Sequence, residues 1–273
     1  MTKIELSPIG VAFEAGEGDA PVRAAEELEG LGYPTLWTGG GQLGDLGQIA
    51  AVVRATARAR VATGILSVDR FPADDVAALY TDLERTHPGR FVVGLGGAHG
   101  ADPFGTLNAY LDRLDATVPA SVRVMAALGP RMLDLARRRA AGAYPTLVTP
   151  EHTARLRDRL GDDTTLAVMQ MAVVESDPAR ARALMREGPL GFLGQVPAYQ
   201  ANFRRMGFTD EDIDARSDRL VDALVAWGDV DAIAARVAEQ REAGADHVAV
   251  RVVSPDDPPV DAWRRLAPAL LAS

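Results

Sequence analysis

The sequence predicts an α/β protein with the (β/α)8 TIM-barrel fold, a closed ring of eight parallel strands surrounded by helices. Short apolar, β-branched runs alternate with longer amphipathic patterns along almost the whole chain, which is typical of a parallel sheet. The runs are continuously apolar, as expected of strands that are buried on both faces. Eight such units within 273 residues suit a closed barrel better than an open sheet.

The predicted strands follow one another at the spacing that a barrel requires. In order along the chain they are Ile9–Phe13, Thr35–Thr38, Val61–Val68, Phe91–Leu95, Val122–Ala127, Pro145–Val148, Leu166–Val174 and His247–Val253. Amphipathic helices are predicted between them, for example over Pro21–Leu31, Ala73–Thr86, Leu107–Ala116 and Arg131–Ala141. Glycines that follow several of these patterns are typical of helix ends.

The stretch between the seventh and eighth predicted strands is longer than one crossover helix needs. It contains helical patterns over Asp177–Arg186, Val196–Met206, Ser217–Trp227 and Asp229–Ala243. We therefore expect a single domain over residues 1–273, in which residues 176–246 form a helical insertion over one rim of the barrel.

Composition excludes several classes of protein. The net charge of −9 opposes non-specific nucleic-acid binding, which needs a basic surface. No apolar run approaches the roughly 20 residues that span a membrane, and no basic segment leads into an apolar run at the N-terminus, so we expect a cytoplasmic protein. The chain has no cysteine and one lysine, Lys3, which argues against thiol, Schiff-base and P-loop chemistry. The four histidines have no metal-motif spacing, so no metal site is expected.

An anion site is predicted at the turn Leu128-Gly129-Pro130-Arg131. Glycine allows the backbone to approach a ligand closely, and proline is pre-shaped for the first position of a helix. Free N–H groups at such a helix start bind anions, and Arg131 adds a positive charge beside them. The turn therefore fits a phosphate-bearing cofactor, although an ordinary helix start would have the same sequence.

Other candidate residues lie where barrel strands end, the rim at which barrel enzymes place their active sites. His99 follows a Gly-Gly-Ala strand end and is the candidate general acid, with capping of loop backbone as the alternative. Thr149, Pro150 and Glu151 have the pattern of a helix start, so capping also explains their neighbour His152. The candidate contacts to substrate or cofactor ring are Glu14, Gly39, Asp69 and His152.

Five segments resemble one family of enzymes. They are GYPTLWTGG, HPGRFVVGLGGAH, YLDRLD, ALGPRMLDLARRRAAGAYPTLVTPEHTA and SDRLVDALVAWGDVDAIAARV…AGADHVAV. These segments are similar to actinobacterial luciferase-like oxidoreductases that depend on flavin or coenzyme F420, and most similar to a short subfamily described as F420-dependent. The resemblance runs from about residue 9 to residue 253.

The resemblance implies a barrel that binds the deazaflavin F420 with its ring at the barrel mouth. By analogy, the ring would lie against a bulged end of strand three at Ser67 and Val68, often with a non-prolyl cis peptide. The tail phosphate would contact the turn after strand five, at Ala127, Leu128, Gly129, Pro130 and Arg131. The cofactor would carry the hydride, and the protein would position the substrate.

The chain departs from the family pattern at two places. Dehydrogenases of the wider family have an Asp or His at the end of strand two, where this chain has Thr38-Gly39-Gly40. The loop after strand four is also short, because residues 96–106 lead directly to a helix. The first departure argues against an alcohol dehydrogenase that uses the strand-two residue. The short loop is compatible with a more open site, a large substrate or impaired cofactor binding.

The sequence therefore predicts an F420-dependent oxidoreductase that transfers a hydride between F420 and a small organic substrate with a C=C, C=N or C=O group. His99 is the candidate proton donor. An FMN-dependent monooxygenase is the alternative cofactor assignment, and a ligand-binding barrel without turnover is the alternative of another class. Enzymes of this fold are often dimers, so a homodimer is the oligomer that the resemblance implies.

Overall fold

The computed structural model describes residues 3–14, 18–40, 43–256 and 258–272. These contain ten strands, and every pairing between them is parallel. The strands are β1 (Ile9–Glu14), β2 (Thr35–Gly39), β3 (Arg60–Thr63), β4 (Leu66–Ser67), β5 (Phe91–Gly96), β6 (Arg123–Met125), β7 (Gly142–Ala143), β8 (Thr165–Val173), β9 (Ala226–Trp227) and β10 (His247–Val252).

The sheet closes on itself because β10 pairs with β1 on one side and with β8 on the other. The ring runs β1-β2-β3-β5-β6-β7-β8-β10, with β4 continuing the third strand and β9 attached to the end of β8. The predicted (β/α)8 barrel is confirmed. In these ranges no helix has the length and apolar character needed to cross a membrane.

Three predicted elements have different bounds in the structure. The third strand divides into β3 and β4 at the cis peptide Gly64–Ile65. The sixth strand is Gly142–Ala143, and Pro145 lacks the N–H that would extend its ladder, so only an isolated bridge follows at Thr146. The helix predicted over Ser217–Trp227 ends at Leu224, because Ala226 and Trp227 pair with β8 instead.

Thirteen α-helices lie in the described ranges. They are α1 (Ala20–Gly30), α2 (Gly47–Ala55), α3 (Ala73–Thr86), α4 (Pro103–Leu114), α5 (Pro130–Arg139), α6 (Pro150–Leu160), α7 (Pro178–Glu187), α8 (Pro189–Leu193), α9 (Pro197–Arg205), α10 (Asp210–Ala215), α11 (Asp218–Leu224), α12 (Val230–Glu242) and α13 (Val260–Leu271). Helices α7–α12 occupy the predicted insertion between β8 and β10. Part of it has its own apolar cluster, which reaches the barrel at Met171 and Val173.

Alternate residues of the barrel strands point inward, since side chains in a strand alternate between its two faces. One inner layer consists mainly of small apolar residues around two large rings, Trp37 and Tyr144. These rings are stacked, with centroids 4.0 Å apart and planes within 4°. Two residues further along β1, β2 and β10 lie Glu14, Gly39 and Arg251, which form the next layer toward the carboxyl-terminal rim.

Candidate active site at the barrel mouth

A cavity of about 540 Å³ opens at the carboxyl-terminal end of the barrel. Its walls come from strand ends and from the insertion. They comprise Ala12, Glu14, Trp37, Gly39, Gly40, Gly64, Ile65, Ala126, Tyr144, Thr146, Met169, Met171, Gly188, Pro189, Phe192, Leu193, Tyr199 and Arg251. Small-molecule sites are commonly apolar clefts of about 300–1,000 Å³ with a few polar groups, and this cavity has both properties.

Glycines shape one side of this cavity. A Cβ atom on Gly39 would lie 2.3 Å from Oε2 of Glu14, and one on Gly64 would lie 2.8 Å from the Tyr144 ring. At Gly40 the same atom would lie 1.8 Å from the carbonyl oxygen of Ile65. Glycine at these positions therefore makes room for a carboxylate, an aromatic ring and a backbone turn that all face the cavity.

The cavity wall beside Gly39 carries charge. Arg251 on β10 forms an ion pair with Glu14 on β1, with Nη2 and Oε1 2.5 Å apart. Of the described residues that line the cavity, only these two are charged. Because the pair is neutral as a whole, the cavity presents oriented polar groups without an excess of either charge.

Tyr144 adds a free hydrogen-bond donor. Its hydroxyl is buried and has no hydrogen-bond partner in the described structure. Burial raises the pKa of the phenol above its ordinary value, while the Arg251 charge acts in the opposite direction. The hydroxyl therefore stays protonated at neutral pH and can donate to a ligand in the cavity.

We expect Tyr144→Phe to leave the free energy of unfolding unchanged or to raise it by about 1 kcal/mol, because an unpaired buried hydroxyl costs desolvation free energy. Tyr110→Phe is the matched control, since the Tyr110 hydroxyl is also buried but donates to the Phe71 carbonyl at 2.9 Å. That variant should lose about 1 kcal/mol in urea unfolding. A larger loss in Tyr144→Phe than in the control would show that the Tyr144 hydroxyl has a structural partner.

The predicted anion turn has the expected helix geometry. Gly129 is the N-cap of α5 and Pro130 is its first residue. The guanidinium of Arg131 lies over the Phe104 ring, 4.8 Å from its centroid. A second arginine, Arg205 of α9, approaches the turn, and its Nη2 lies 3.7 Å from where a Cβ on Gly129 would be. Two arginines from different parts of the chain therefore flank this turn.

His152 lies in the first turn of α6, close to the same region. Thr149 caps this helix by accepting from the His152 N–H at 3.2 Å, as the sequence predicts. The imidazole is 6% exposed, and neither ring nitrogen has a hydrogen bond. Burial lowers its pKa, and the nearby charges of Arg155 and Arg205 lower it further. His152 is therefore a buried, neutral side chain with unused hydrogen-bonding capacity.

Comparison with known proteins agrees with this geometry. Residues 115–247, just under half of the chain, match the model of the luciferase-like monooxygenase family. This segment of the chain is similar to luciferase-like monooxygenases. Comparison with curated protein sequences gave no significant match.

Three solved structures share the fold of this chain. An F420-dependent secondary alcohol dehydrogenase with an F420–acetone adduct is 15% identical, with a TM-score of 0.70 over 97% of this chain and 99% of that one. The F420-dependent tetrahydromethanopterin reductase of Methanopyrus kandleri is 14% identical, with a TM-score of 0.74 over 98% and 99%. The oxygenating constituent of 3,6-diketocamphane monooxygenase from Pseudomonas putida, solved with FMN, is 14% identical, with a TM-score of 0.65 over 96% of each chain.

The barrel brings some predicted site residues together and separates others. Glu14 and Gly39 line the cavity. His152 and the predicted phosphate residues are not in its wall, which includes only their neighbour Ala126; the predicted phosphate residues are Ala127, Leu128, Gly129, Pro130 and Arg131. Ser67 and Val68 are not in the wall, because the cis peptide lies earlier, at Gly64–Ile65. The Ser67 hydroxyl instead donates to the Gly97 carbonyl at 3.1 Å.

His99 and Asp69 form a separate contact on the surface. The backbone N–H of His99 donates to Oδ2 of Asp69 at 2.8 Å, and the ring Nδ1 lies 3.1 Å from the same oxygen. The His99 side chain is 70% exposed, and neither residue lines the cavity. The structure thus gives Asp69 a loop-anchoring contact and does not bring His99 to the barrel mouth.

Sequence reasoning missed Tyr144, Arg251 and Arg205. Arg251 interrupts an otherwise apolar strand, and a charge at an inward position is a signal that could have been used. Tyr144 was missed because the sixth strand was predicted to begin at Pro145, whereas in the structure that strand ends at Ala143, directly before Tyr144. Arg205 had no signal, because nothing local indicates that an insertion helix reaches the α5 turn. In the described part of the chain, no group of three or more potential metal ligands occurs.

Proposed function

We propose that this luciferase-like protein is an oxidoreductase that uses F420 to transfer a hydride to or from a small organic substrate. The observation that carries the proposal is that the predicted anion turn follows closely in sequence after the wall of a cavity large enough for a small-molecule ring. Ala126 lines the cavity, and Gly129 follows three residues later. Three residues of chain span at most about 10 Å, a separation that the sugar-alcohol chain between a flavin-type ring and its phosphate can bridge.

The described residues fit such a cofactor. The cavity of about 540 Å³, which Trp37 and Tyr144 line in part, has room for a planar ring. The Gly129 turn offers backbone N–H groups to a phosphate. When bound, the deazaflavin supplies the hydride. Tyr144 then donates a hydrogen bond to a carbonyl or imine acceptor, and Arg251 stabilises the negative charge that develops there.

Other residues prepare the site for this chemistry. Glu14 fixes the orientation of Arg251 through their ion pair. Met169, Met171 and Ile65 form apolar walls that exclude water, which strengthens the hydrogen bonds inside the cavity. His99 remains a candidate proton donor only if the loop that carries it moves toward the cavity.

An FMN-dependent monooxygenase is the second candidate, favoured by the description of the matching family and by the FMN-bound structural neighbour. Both cofactors present a phosphate to the same turn. A homodimer is also proposed, on the family resemblance alone.

Titration of the purified protein with F420 and, separately, with FMN tests the proposal through fluorescence. We expect F420 to bind, and Gly129→Asp to weaken binding by about 100-fold, because its carboxylate would pair with Arg205 and repel a phosphate. Gly129→Ala is the control: its Cβ has only ordinary contacts, so affinity should change less than about 3-fold.

Each outcome decides between the candidates. Binding of FMN alone, with oxygen-dependent turnover, would assign the monooxygenase. Cofactor binding without turnover of any carbonyl, imine or enone tested would favour a barrel that only binds its ligand. If neither cofactor binds, the proposal is wrong.

A further inference from the structure

We propose that Arg205, Asn202 and His152 form the second half of the phosphate site, so that the insertion helix α9 holds the cofactor phosphate against the barrel. This inference rests on the proposed function and extends it. The sequence and the family resemblance assign only the Gly129 turn to the phosphate. The three residues now added come from two other elements, α6 and α9.

Arg205 is a positive charge without a counter-ion in the described structure, where no carboxylate oxygen lies within 4.0 Å of it. Partial burial lowers the pKa of its guanidinium, which is the direction expected when a cation loses water without gaining an anion. Its neighbour Arg204, by contrast, pairs with Asp210 at 2.6 Å. Arg205 thus presents an exposed charge that can pair with an anion at the Gly129 turn.

The guanidinium is held in a defined orientation. Nε and Nη2 of Arg205 donate to Oδ1 of Asn202 at 3.2 and 3.1 Å, and Nη2 also points toward the Gly129 turn. Because a guanidinium has five N–H donors, at least three remain for a ligand. This arrangement presents a planar group of donors to the start of α5.

Asn202 and His152 supply further donors that the protein itself does not use. Asn202 is fully buried, and its Nδ2 has no hydrogen-bond partner. The His152 imidazole lies next to Asn202: burial and the charges of Arg155 and Arg205 lower its pKa, and the Asn202 side chain raises it. Neither ring nitrogen has a hydrogen bond of normal geometry. Leaving a buried polar group unpaired costs about 1–3 kcal/mol, so two such side chains beside a free cation indicate a ligand. The ligand must accept several hydrogen bonds and carry negative charge, as a phosphate does.

Helix α9 then contacts both ends of the cofactor. Tyr199 lines the cavity, and Asn202 and Arg205 follow at three-residue steps, which places all three on neighbouring positions of one helix face. A bound phosphate would therefore connect the insertion to the barrel, and its loss would free the helix that covers the ring site.

A comparison of phosphorylated and unphosphorylated ligands tests this inference in the full-length protein. Wild type, Arg205→Met and the matched control Arg204→Met are titrated with FMN and riboflavin, and with F420 and its phosphate-free deazaflavin. We expect Arg205→Met to lower the affinity for the phosphorylated ligand that binds about 30-fold, and the affinity for its phosphate-free counterpart less than 2-fold. Arg204→Met should leave both affinities unchanged. His152→Phe keeps a ring of similar width. It should lower only the affinity for the phosphorylated ligand, by about 5- to 10-fold.

The outcomes separate this inference from the proposed function. If wild type binds no phosphorylated or unphosphorylated ligand, both fail. If wild type binds FMN or F420 and Arg205→Met binds it as tightly as Arg204→Met does, the cofactor proposal stands and the assignment of Arg205 is wrong. If Arg205→Met loses as much affinity for the phosphate-free ligand as for the phosphorylated one, the assignment is also wrong. Arg205 would then act on the fold and not on the phosphate.

Discussion

Replacing Gly94 with alanine is expected to destabilise the barrel by at least about 3 kcal/mol, the upper part of the usual range for overpacking. A Cβ at this position would lie 1.7 Å from the carbonyl oxygen of Thr63. The contacted atom belongs to the backbone of β3, so no side-chain rotation can relieve the overlap. The strands would have to separate.

The neighbourhood of Gly94 leaves little room for such a movement. The Thr63 hydroxyl accepts from the Gly94 N–H at 2.8 Å and donates to the Gly94 carbonyl at 3.0 Å, and both contacts are buried. This point lies just beyond the paired residues Ala62 and Val92, where β3 leaves the ladder toward the cavity. A shift here would therefore change the glycine wall of the candidate site as well as the fold.

Urea unfolding of Gly94→Ala beside Gly100→Ala measures this effect. A Cβ on Gly100 would have no neighbour within 4 Å, and Gly100 does not have a positive φ, so its alanine variant should lie within about 0.5 kcal/mol of wild type. Natural domains have a total stability of about 5–15 kcal/mol, so the Gly94 variant is expected to lose a large share of it. Equal urea midpoints for the two variants would contradict the close approach of Gly94 to the Thr63 carbonyl.

The sequence predicted the barrel well because its evidence is local. Each continuous apolar run indicates a strand by itself, and the Thr149 cap and the Gly129-Pro130 helix start depend only on neighbouring residues. The errors occur where hydrogen-bonded pairing between strands overrides the local sequence pattern. Val61–Val68 reads as one strand, but it is divided at Gly64–Ile65, and Ala226–Trp227 leaves a helical pattern to pair with β8.

The candidate site was less accessible to prediction, because it is assembled from distant residues. Glu14 could be proposed from its place at a strand end, but its partner Arg251 lies on the last strand of the ring. The approach of Arg205 to Gly129 depends on how the insertion folds back over the rim. His99 shows the converse: a strand-end position suggested a catalytic role, whereas its side chain contacts Asp69 at the surface.

Acid is expected to destabilise the protein through His247, which is fully buried at the start of β10. Its Nε2 accepts from Nε1 of Trp37 at 2.8 Å, and its Nδ1 contacts the Ser7 carbonyl. The first contact requires an unprotonated Nε2, so the native state favours the neutral ring. Burial lowers the pKa of His247 from 6.5 to about 4, against the smaller opposing effect of the Ser7 carbonyl.

The direction of the pH effect follows from this shift. Above pH 6.5 the ring is neutral in both folded and unfolded chains, so the full stability is present. Between pH 6.5 and about 4 only the unfolded chain takes up the proton, and stability falls by up to about 1.4 kcal/mol per pH unit. The total loss is about 3 kcal/mol, and below pH 4 this group contributes no further change.

Urea unfolding from about pH 7.5 to about pH 3.5 isolates this contribution when wild type is compared with His247→Gln, which cannot titrate. Other groups contribute in both proteins: His152 also has a lowered pKa, and carboxylates such as Asp246 have pKa values held below 3.8 by their partners. Their effects cancel in the difference between the two profiles. We expect His247→Gln to be less stable at pH 7, since it disturbs the contact with Trp37, and the gap to close by about 3 kcal/mol as the pH falls to 4. Parallel profiles would mean that His247 has the same pKa in the native and unfolded chains, and that neither burial nor the Trp37 contact holds it neutral.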